Sequence, residues 1–131
     1  MADQGGRRPV ARNILGTELQ LCCSDPVTGF FRDGFCNTNQ LDTGTHVICA
    51  RVTDAFLHFS LARGNDLITP QPEYQFPGLK DGDGWCLCAM RWKEAHDAGC
   101  APPIKPEATH QRALDLIPLS VLEPYFIQSS P

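Results

Sequence analysis

Apolar and polar residues alternate along the chain in a way that predicts repeated units of a strand followed by a helix. The first unit begins with residues 46–52, a β-branched and mostly apolar run that predicts a strand. Thr53 offers an N-cap, and the apolar residues after it recur three and four positions apart, which predicts a helix over residues 54–63. Gly64 suits the left-handed position that ends such a helix.

The second unit repeats this order later in the chain. Residues 85–88 form a short apolar run that predicts a strand, and residues 89–98 predict a helix that ends at Gly99. A helix that begins at Trp85 is the alternative, because it would align Trp85 with Trp92 on one face. Periodicity alone does not choose between these two interpretations.

A third unit lacks the cysteine found near the end of the first two strands. An extended segment is predicted near residues 104–108, and a helix that Thr109 caps and Pro118 ends is predicted to follow it. Residues 119–125 predict a last helical turn.

Two long segments between these units are rich in turn-forming residues. Residues 27–45 and 65–84 contain repeated glycine, asparagine, aspartate and proline. Loops of this length are uncommon in a compact domain unless side chains hold them in place. For the first loop, one set of candidate anchors is the aromatic side chains of Phe30, Phe31 and Phe35. The other is ligation through Cys22 and Cys36.

These units predict an α/β or α+β fold, in which about three helices pack on a small mixed sheet beside two long ordered loops. Strands joined through helices tend to be parallel, so we expect Cys49 and Cys88 to end neighbouring strands at one edge of the sheet. One globular domain is expected over residues 13–127, with a flexible N-terminal tail at residues 1–12 and a short tail at residues 128–131.

Composition and charge narrow the class of protein. The 131 residues carry a net charge of −4 with no long basic run, which argues against nucleic-acid binding. No apolar run reaches the roughly 18 residues of a membrane-spanning helix, so no membrane association is expected. The arginines near the start are followed by no apolar stretch typical of a secretory signal, which indicates a cytoplasmic protein.

The chain contains seven cysteines, a high and odd number for a cytoplasmic protein. In a reducing compartment, we expect them to be metal ligands, reactive thiols or small core residues rather than a disulfide framework.

Several blocks of the sequence also follow one another in a recognisable order. They read NILG at residues 13–16, DPVTGFFRDGFCNT at 25–38, GNDL at 64–67, FPGL at 76–79 and WCLCAMRW at 85–92. Together they resemble the domain-of-unknown-function family 2237, a family of small, mostly bacterial proteins, over nearly the whole chain from about residue 13 to residue 125. The resemblance implies no activity and no catalytic residue. It leaves Cys23 and Cys100 outside the family pattern, whose cysteines fall on Cys22, Cys36, Cys49, Cys86 and Cys88.

Four of these cysteines are candidate metal ligands. Zinc is bound by thiolate or imidazole groups in a tetrahedron. Cys86 and Cys88 would face the same side of a strand, which suits a shared metal. The candidate ligand set, with zinc as the candidate metal, is Cys36, Cys49, Cys86 and Cys88. The alternative is that these cysteines only pack in the core, since free cysteine is among the most buried residue types.

Cys88 is also a candidate nucleophile. It directly precedes the second predicted helix, where the helix dipole and free N–H groups favour the thiolate, and Arg91 would add positive charge. A thiol nucleophile needs a base, and His46 or His110 lie near the ends of predicted elements. Cys36 competes with Cys88, because it lies in a loop and loops carry chemistry more often than cores do.

Charged and amide side chains of the two loops form a further candidate site. Asp66 could act as a general base or bind a cation, and Arg32 could clamp a carboxylate or phosphate. The candidate anion contacts are Arg32, Asn65 and Arg91. The alternative for the loop residues is architecture, because asparagine and aspartate routinely form turns.

The sequence therefore leaves two classes of function open. The first is a thiol- or metal-dependent enzyme or redox protein built on the cysteine-rich site. The second is a non-catalytic binding or interaction module whose cysteines are structural core residues. In either class, the expected partner is a small molecule or another protein.

Overall fold

A two-stranded antiparallel sheet and three α-helices form a mixed α+β fold in the part of the chain that the structure describes. This structure, a computed structural model, describes residues 11–24 and 27–127. In chain order the main elements are β1 (His46–Arg51), α1 (Asp54–Ala62), β2 (Gly84–Cys88), α2 (Ala89–Asp97) and α3 (Leu119–Leu122). Short 3-10 helices lie at Pro72–Tyr74, Pro106–Ala108, Gln111–Asp115 and Glu123–Tyr125. Residues 1–10 and 128–131 of the expected tails lie outside the described residues.

The two longer helices begin and end close to where the sequence predicts. The Thr53 hydroxyl accepts a hydrogen bond from the backbone N–H of Phe56 at 3.1 Å and so caps the first turn of α1. Gly64 follows α1 with φ +89°, and Gly99 follows α2 with φ +80°, the left-handed conformation that ends a helix. The alternative helix from Trp85 is wrong, because Trp85 lies within β2.

The third predicted helix is a 3-10 helix, and its cap is one residue later than predicted. The His110 ring, not the Thr109 hydroxyl, caps it by accepting a hydrogen bond from the backbone N–H of Arg112 at 3.0 Å. Thr109 is already occupied, since its hydroxyl donates to the carbonyl of Lys105 at 2.8 Å and accepts from the backbone N–H of Cys49 at 3.2 Å. The predicted helical turn over residues 119–125 is present as α3 and the 3-10 helix after it.

The two strands run antiparallel, so the expectation of parallel strands with Cys49 and Cys88 at one edge is wrong. The long connection after α1 returns to the C-terminal end of β1 before β2 begins. There, Gly82 N–H donates to the carbonyl of Val52 at 2.8 Å, and Val52 N–H donates to the carbonyl of Asp83 at 2.9 Å. Cys49 consequently faces Cys86 across the sheet.

The hydrophobic core lies between the sheet and the two longer helices. Its largest fully buried side chains include Trp92 of α2 and Phe56 of α1, which pack with Ile48 and Leu87 from the two strands. Burial of each such side chain contributes about 1.5–3 kcal/mol to folding. The Trp92 indole N–H is also satisfied, because it donates to the carbonyl of Pro102 at 3.0 Å. No helix within the described ranges is long and apolar enough to cross a membrane.

Of the two sets of candidate anchors for the first long loop, the structure uses the cysteines, as disulfides rather than as ligands. Cys36 within the loop is bonded to Cys86 of β2, and Cys22, five residues before the loop, is bonded to Cys49 of β1. Phe30 is 38% exposed and Phe31 is 44% exposed. The expectation that these cysteines are not disulfide-bonded is wrong in this structure.

The third extended segment, predicted near residues 104–108, is shorter in the structure: residues 103–105 run beside the free edge of β1, and Pro106–Ala108 form a 3-10 helix. Lys105 N–H donates to the carbonyl of Cys49, and Arg51 N–H donates to the carbonyl of Pro103, at 2.8 and 2.9 Å. Ile104 forms single bridges with Ala50 and with Phe126. Residues 103–105 therefore cover the edge of β1 next to the cysteines.

Candidate functional site

Four buried cysteines meet where the first long loop reaches the sheet. Cys49 and Cys86 are direct cross-strand partners, and each is bonded to one loop cysteine, Cys22 or Cys36. The Cα atoms of the bonded pairs are 5.7 and 5.2 Å apart. The four residues are at most 4% exposed. We call Cys22, Cys36, Cys49 and Cys86 the four-cysteine core.

The sulfur atoms of the two disulfides lie close together. The Sγ atoms of Cys22, Cys36 and Cys49 all lie within 4.8 Å of one another, a grouping that suits metal ligation when the thiols are free. While the bonds are intact, the four sulfurs cannot act as nucleophiles or metal ligands. The four-cysteine core can therefore act chemically only after reduction.

Threonine hydroxyls and a lysine surround this core. Thr28 is fully buried, and its hydroxyl accepts a hydrogen bond from the backbone N–H of Cys86 at 2.8 Å. The Thr109 hydroxyl likewise accepts a hydrogen bond from the backbone N–H of Cys49. The Lys105 ammonium donates to the carbonyl of Cys22 at 3.2 Å, which brings a positive charge to the edge of the cluster.

The structure brings together three of the four metal ligands that the sequence suggested. Cys36, Cys49 and Cys86 belong to the four-cysteine core, but its fourth member is Cys22 rather than the predicted Cys88. Strand alternation relates Cys86 to Cys88 along one strand, but it carries no information about residues outside that strand. The signal for Cys22 was its pairing with Cys36 as a candidate anchor of the first long loop.

A buried aspartate orients His46 at the start of β1. Asp42 Oδ1 lies 2.6 Å from His46 Nδ1, and the Asp42 side chain is fully buried while that of His46 is 41% exposed. Asp42 Oδ2 accepts hydrogen bonds from the His46 backbone N–H at 2.8 Å and from the Thr38 hydroxyl at 3.0 Å. Because the Asp42 carboxylate can only accept a hydrogen bond, His46 Nδ1 is the donor and carries the proton. Nε2 is therefore the nitrogen that can accept a further proton.

Asp42 stays charged although it is buried. Burial alone would raise the pKa of its carboxyl, but the hydrogen bonds from the His46 backbone, the His46 ring and the Thr38 hydroxyl outweigh burial and lower the pKa below its ordinary value of 3.8. A charged carboxylate therefore faces the ring of His46.

Cys88 lies directly opposite His46 in the sheet. The two residues are register partners at the end of the β1–β2 pair, with an irregularity in β1 between His46 and Ile48. Cys88 is a free, half-buried thiol, and it is the N-cap residue of α2 without capping the helix through its side chain. Among the described residues, its thiol makes no hydrogen bond.

A cleft of about 270 Å³ opens beside His46. The Arg32 guanidinium lies 5.2 Å from the centre of the Trp85 ring, a cation–π contact that holds it over one wall. Arg32 also has φ +55°, which is uncommon for a residue other than glycine and is often found at functional sites. The cleft is lined by Gly29, Phe30, Arg32, His46, Leu67, Trp85 and Cys86.

A comparison with known protein families identifies the family of this chain. The model of the family described as an uncharacterized protein conserved in bacteria, DUF2237, matches residues 12–126. The chain belongs to the DUF2237 family. Membership assigns no reaction or ligand, so the site of this DUF2237 protein is interpreted from its own residues. No curated protein matches the chain.

The other predicted site residues of this DUF2237 protein have structural partners. Cys36 is fully buried and bonded to Cys86, so it would first have to be released to act as a nucleophile. Asp66 is exposed and accepts from the backbone N–H groups of Ile68 and Thr69, an Asx turn; hydrogen bonds from Thr69 and Ile68 lower its carboxyl pKa.

Two further predicted residues also serve the fold. Asn65 N–H donates to the carbonyl of Ser60 at 2.9 Å, which closes the turn after α1. The Arg91 guanidinium reaches the carbonyl of Arg63 at 3.1 Å and the Glu94 carboxylate at 3.4 Å, so it joins α2 to the end of α1.

His110, the second candidate base, is committed to its helix cap. Its backbone N–H donates to the carbonyl of Val47 at 2.9 Å, and its Nδ1 accepts from Arg112. Burial, and after it the positive charge of Arg112, lowers the pKa of the His110 ring below its ordinary value of 6.5. His46 and His110 each line a cleft, but His46 is the one that lies opposite Cys88 in the sheet, while Nδ1 of His110 is occupied by the helix cap.

Asp42 is the residue that the sequence did not reveal. It lies among turn-forming residues, where an aspartate normally bonds its own backbone. The only local signal is its position four residues before His46.

Proposed function

We propose that this protein is a thiol-dependent enzyme in which Cys88 is the nucleophile and His46 is its base. The observation that carries the proposal is the pairing of Cys88 with a histidine whose ring is held by the buried carboxylate of Asp42. A nucleophile, a base and a group that orients the base are the parts that activated thiols share.

The reaction would begin with transfer of the Cys88 thiol proton to Nε2 of His46. Directly opposed residues of an antiparallel pair have Cβ atoms about 4.5–5.5 Å apart, which brings the two side chains within reach. No hydrogen bond joins them in the described structure, so the transfer requires a rotation of the thiol or one bridging water. The resulting imidazolium is stabilised by Asp42, and the thiolate attacks the substrate.

The start of α2 supports the same role for Cys88. Ala89 N–H donates to the carbonyl of Thr45 at 3.0 Å, but α2 has no side-chain cap on its first turn. The remaining N–H groups and the helix dipole favour negative charge at this end of the helix. A thiolate on Cys88 would occupy that position.

The cleft beside His46 favours a small anionic electrophile as the substrate. Arg32 supplies a guanidinium suited to carboxylate or phosphate, and Trp85 supplies an aromatic wall. Leu67 and Phe30 complete an apolar lining. Such a cleft would hold a substrate with a charged end and an apolar body.

Alkylation of the native protein at neutral pH tests this proposal. Iodoacetamide labelling of each free cysteine, Cys23, Cys88 and Cys100, is followed by peptide mass spectrometry. Cys88 should label fastest, and either His46→Gln or Asp42→Asn should slow its labelling by about tenfold or more because the base or its orientation is lost. Cys100 labelling should not change in either variant.

Iodoacetate, which carries a carboxylate, tests the anion preference of the cleft. The ratio of iodoacetate to iodoacetamide labelling at Cys88 should fall in Arg32→Gln, while the exposed Asp66→Asn variant should keep the wild-type ratio. If Cys88 labels only after denaturation, or at the same rate in all variants, the thiol is structural and the enzyme proposal is overturned.

A non-catalytic binding module is the second candidate function, and the four-cysteine core favours it. Cys22, Cys36, Cys49 and Cys86 are paired and buried, which is typical of cysteines that hold a fold together. In such a module, the cleft beside Trp85 would bind a partner without reacting with it. Unreactive Cys88 in the labelling experiment would favour this candidate.

The cytoplasm is the location that we propose. Three of the seven cysteines are free, which suits a reducing compartment. Disulfides are rare there, so a cytoplasmic location requires that the four-cysteine core exist in a reduced state for part of its life. Thiol trapping in intact cells, with the state of Cys36 and Cys86 read by mass spectrometry, tests the location.

A further inference from the structure

We infer that the four-cysteine core is a redox-controlled zinc site, which binds one zinc ion as four thiolates and releases it when the two disulfides form. The inference does not depend on Cys88, and it names Cys22, Cys36, Cys49 and Cys86 as the ligands. It rests on the geometry, burial and charge of this cluster.

The geometry suits a tetrahedral site after reduction. With zinc–sulfur bonds of about 2.3 Å, the sulfurs of a tetrahedral tetrathiolate are about 3.8 Å apart. Three sulfurs of the core already lie within 4.8 Å of one another, and the fourth belongs to Cys86, the direct strand partner of Cys49. After reduction, side-chain rotations that bring the Cys86 sulfur to the other three would convert two bonded pairs into four equivalent ligands.

Burial indicates a structural site rather than a catalytic one. All four residues are at most 4% exposed, and four protein ligands leave no position for water or substrate. The ligands come from the segment just before the first long loop, from the loop itself and from both strands. Zinc would therefore join the same segments that the disulfides join, and the fold around the cleft would persist in both states.

Charge also supports the thiolate state. A zinc tetrathiolate carries a net charge of −2, which a buried site tolerates only with nearby positive or donor groups. Lys105 is half-buried and its ammonium is 3.2 Å from the carbonyl of Cys22. Lys105 therefore places a positive charge beside the core.

The disulfide form and the zinc-bound form interconvert by transfer of four electrons. Two equivalents of a dithiol reductant donate four electrons and four protons to the two disulfides, which gives four thiols and two oxidised dithiols. Zinc binding then releases the four thiol protons. In the reverse direction, two equivalents of hydrogen peroxide take four electrons from the thiolates and become water with four added protons, and zinc leaves as the dication.

Metal and thiol analysis of the full chain tests the inference. Protein reduced with a dithiol is loaded with zinc, freed of excess metal and measured for zinc content and for thiols after denaturation in chelator. The expected result is one zinc per chain with all seven thiols. Peroxide is then added to the Cys88→Ser variant, which lacks the thiol proposed to be reactive, and should release the zinc while the count falls from six thiols to the two of Cys23 and Cys100. Loss of four thiols for each zinc released is the signature.

Single substitutions identify the ligands. Cys49→Ser and Cys86→Ser should lower zinc content at least tenfold, whereas Cys88→Ser and the matched control Cys100→Ser should keep it. If the first pair fails to fold, cobalt substitution of the wild type reads the site directly, because tetrahedral tetrathiolate cobalt gives intense visible and charge-transfer absorption. A reduced, folded wild type that binds no zinc or cobalt overturns the inference, and so does zinc loss in Cys88→Ser.

Discussion

Asp42 is the single residue on which the orientation of His46 depends. Its buried carboxylate accepts hydrogen bonds from His46 and Thr38, and hydrogen bonds to a charged acceptor contribute about 1.5–3 kcal/mol each. We expect Asp42→Asn to lower the free energy of unfolding by about 2 kcal/mol at pH 7, measured by urea denaturation. Asparagine has nearly the same size, but its amide nitrogen cannot accept the hydrogen bonds that the second carboxylate oxygen accepts.

This stabilisation should depend on pH in a defined direction. The folded-state pKa of Asp42 is lower than its unfolded value, so the folded state binds fewer protons than the unfolded state. The stabilisation is complete above about pH 4 and is lost as the pH falls through the lowered folded-state pKa. The difference between wild type and Asp42→Asn should shrink below pH 4. A constant difference down to pH 2 would contradict the assignment, and Glu73→Gln, at an exposed carboxylate away from His46, is the control.

At the residue scale, the sequence suggested candidate cysteines but not all their partners. The segment around Cys86 and Cys88 drew attention to the part of the sheet where the four-cysteine core lies. The choice of Cys88 over Cys22 followed strand alternation, which operates along one element, whereas the core forms between a loop and two strands. Asp42 could not be recognised, because a loop aspartate has the same local pattern whether it bonds its own turn or a histidine.

At the scale of elements, local chemistry determines helix ends well. Thr53 and Gly64 bound α1, and Gly99 ends α2, because a cap and a left-handed residue act within a few positions of the helix. The direction of β2 was not predictable in this way. The connection between the strands is long, and only its hydrogen bonds at Val52 show that it returns to the same end of the sheet.

Gly99 offers a test of the element scale. Its φ of +80° lies in the left-handed region, and a Cβ added there would meet no atom within 4 Å, so any cost of substitution comes from the backbone. We expect Gly99→Val to lower the free energy of unfolding by at least about 1 kcal/mol. Gly99→Asn should cost less, because asparagine tolerates this conformation. Thermal unfolding followed by circular dichroism measures the stability of both variants. Equal losses of stability in Gly99→Val and Gly99→Asn would show that the left-handed φ is not the cause of the loss.

At the scale of the whole molecule, two crosslinks attach the first long loop to the sheet. They close segments with sequence separations of 27 and 50 residues, and loss of a native disulfide typically costs 2–5 kcal/mol. The loop has few other anchors. Cys22 N–H donates to the carbonyl of Gly34 at 2.8 Å, and Thr28 accepts from Cys86, while Phe30 and Phe31 face solvent. The wall of the cleft that carries Arg32 therefore depends on the four-cysteine core.

Limited trypsin digestion tests this dependence. Arg32 is exposed at the tip of the loop, and reduction with chelator present should raise its cleavage rate by at least about tenfold, because about 1.4 kcal/mol of lost restraint already gives that factor. Arg63 is the matched control, since α1 and an ion pair with Glu94 at 3.0 Å hold it without the cysteines. Fragments are identified by mass spectrometry over time. Equal acceleration at both arginines would mean that the crosslinks hold the whole fold rather than the loop, and no acceleration at Arg32 would mean that the remaining hydrogen bonds suffice. Zinc added to the reduced protein should restore resistance at Arg32, because four thiolate ligands would rejoin the loop to both strands.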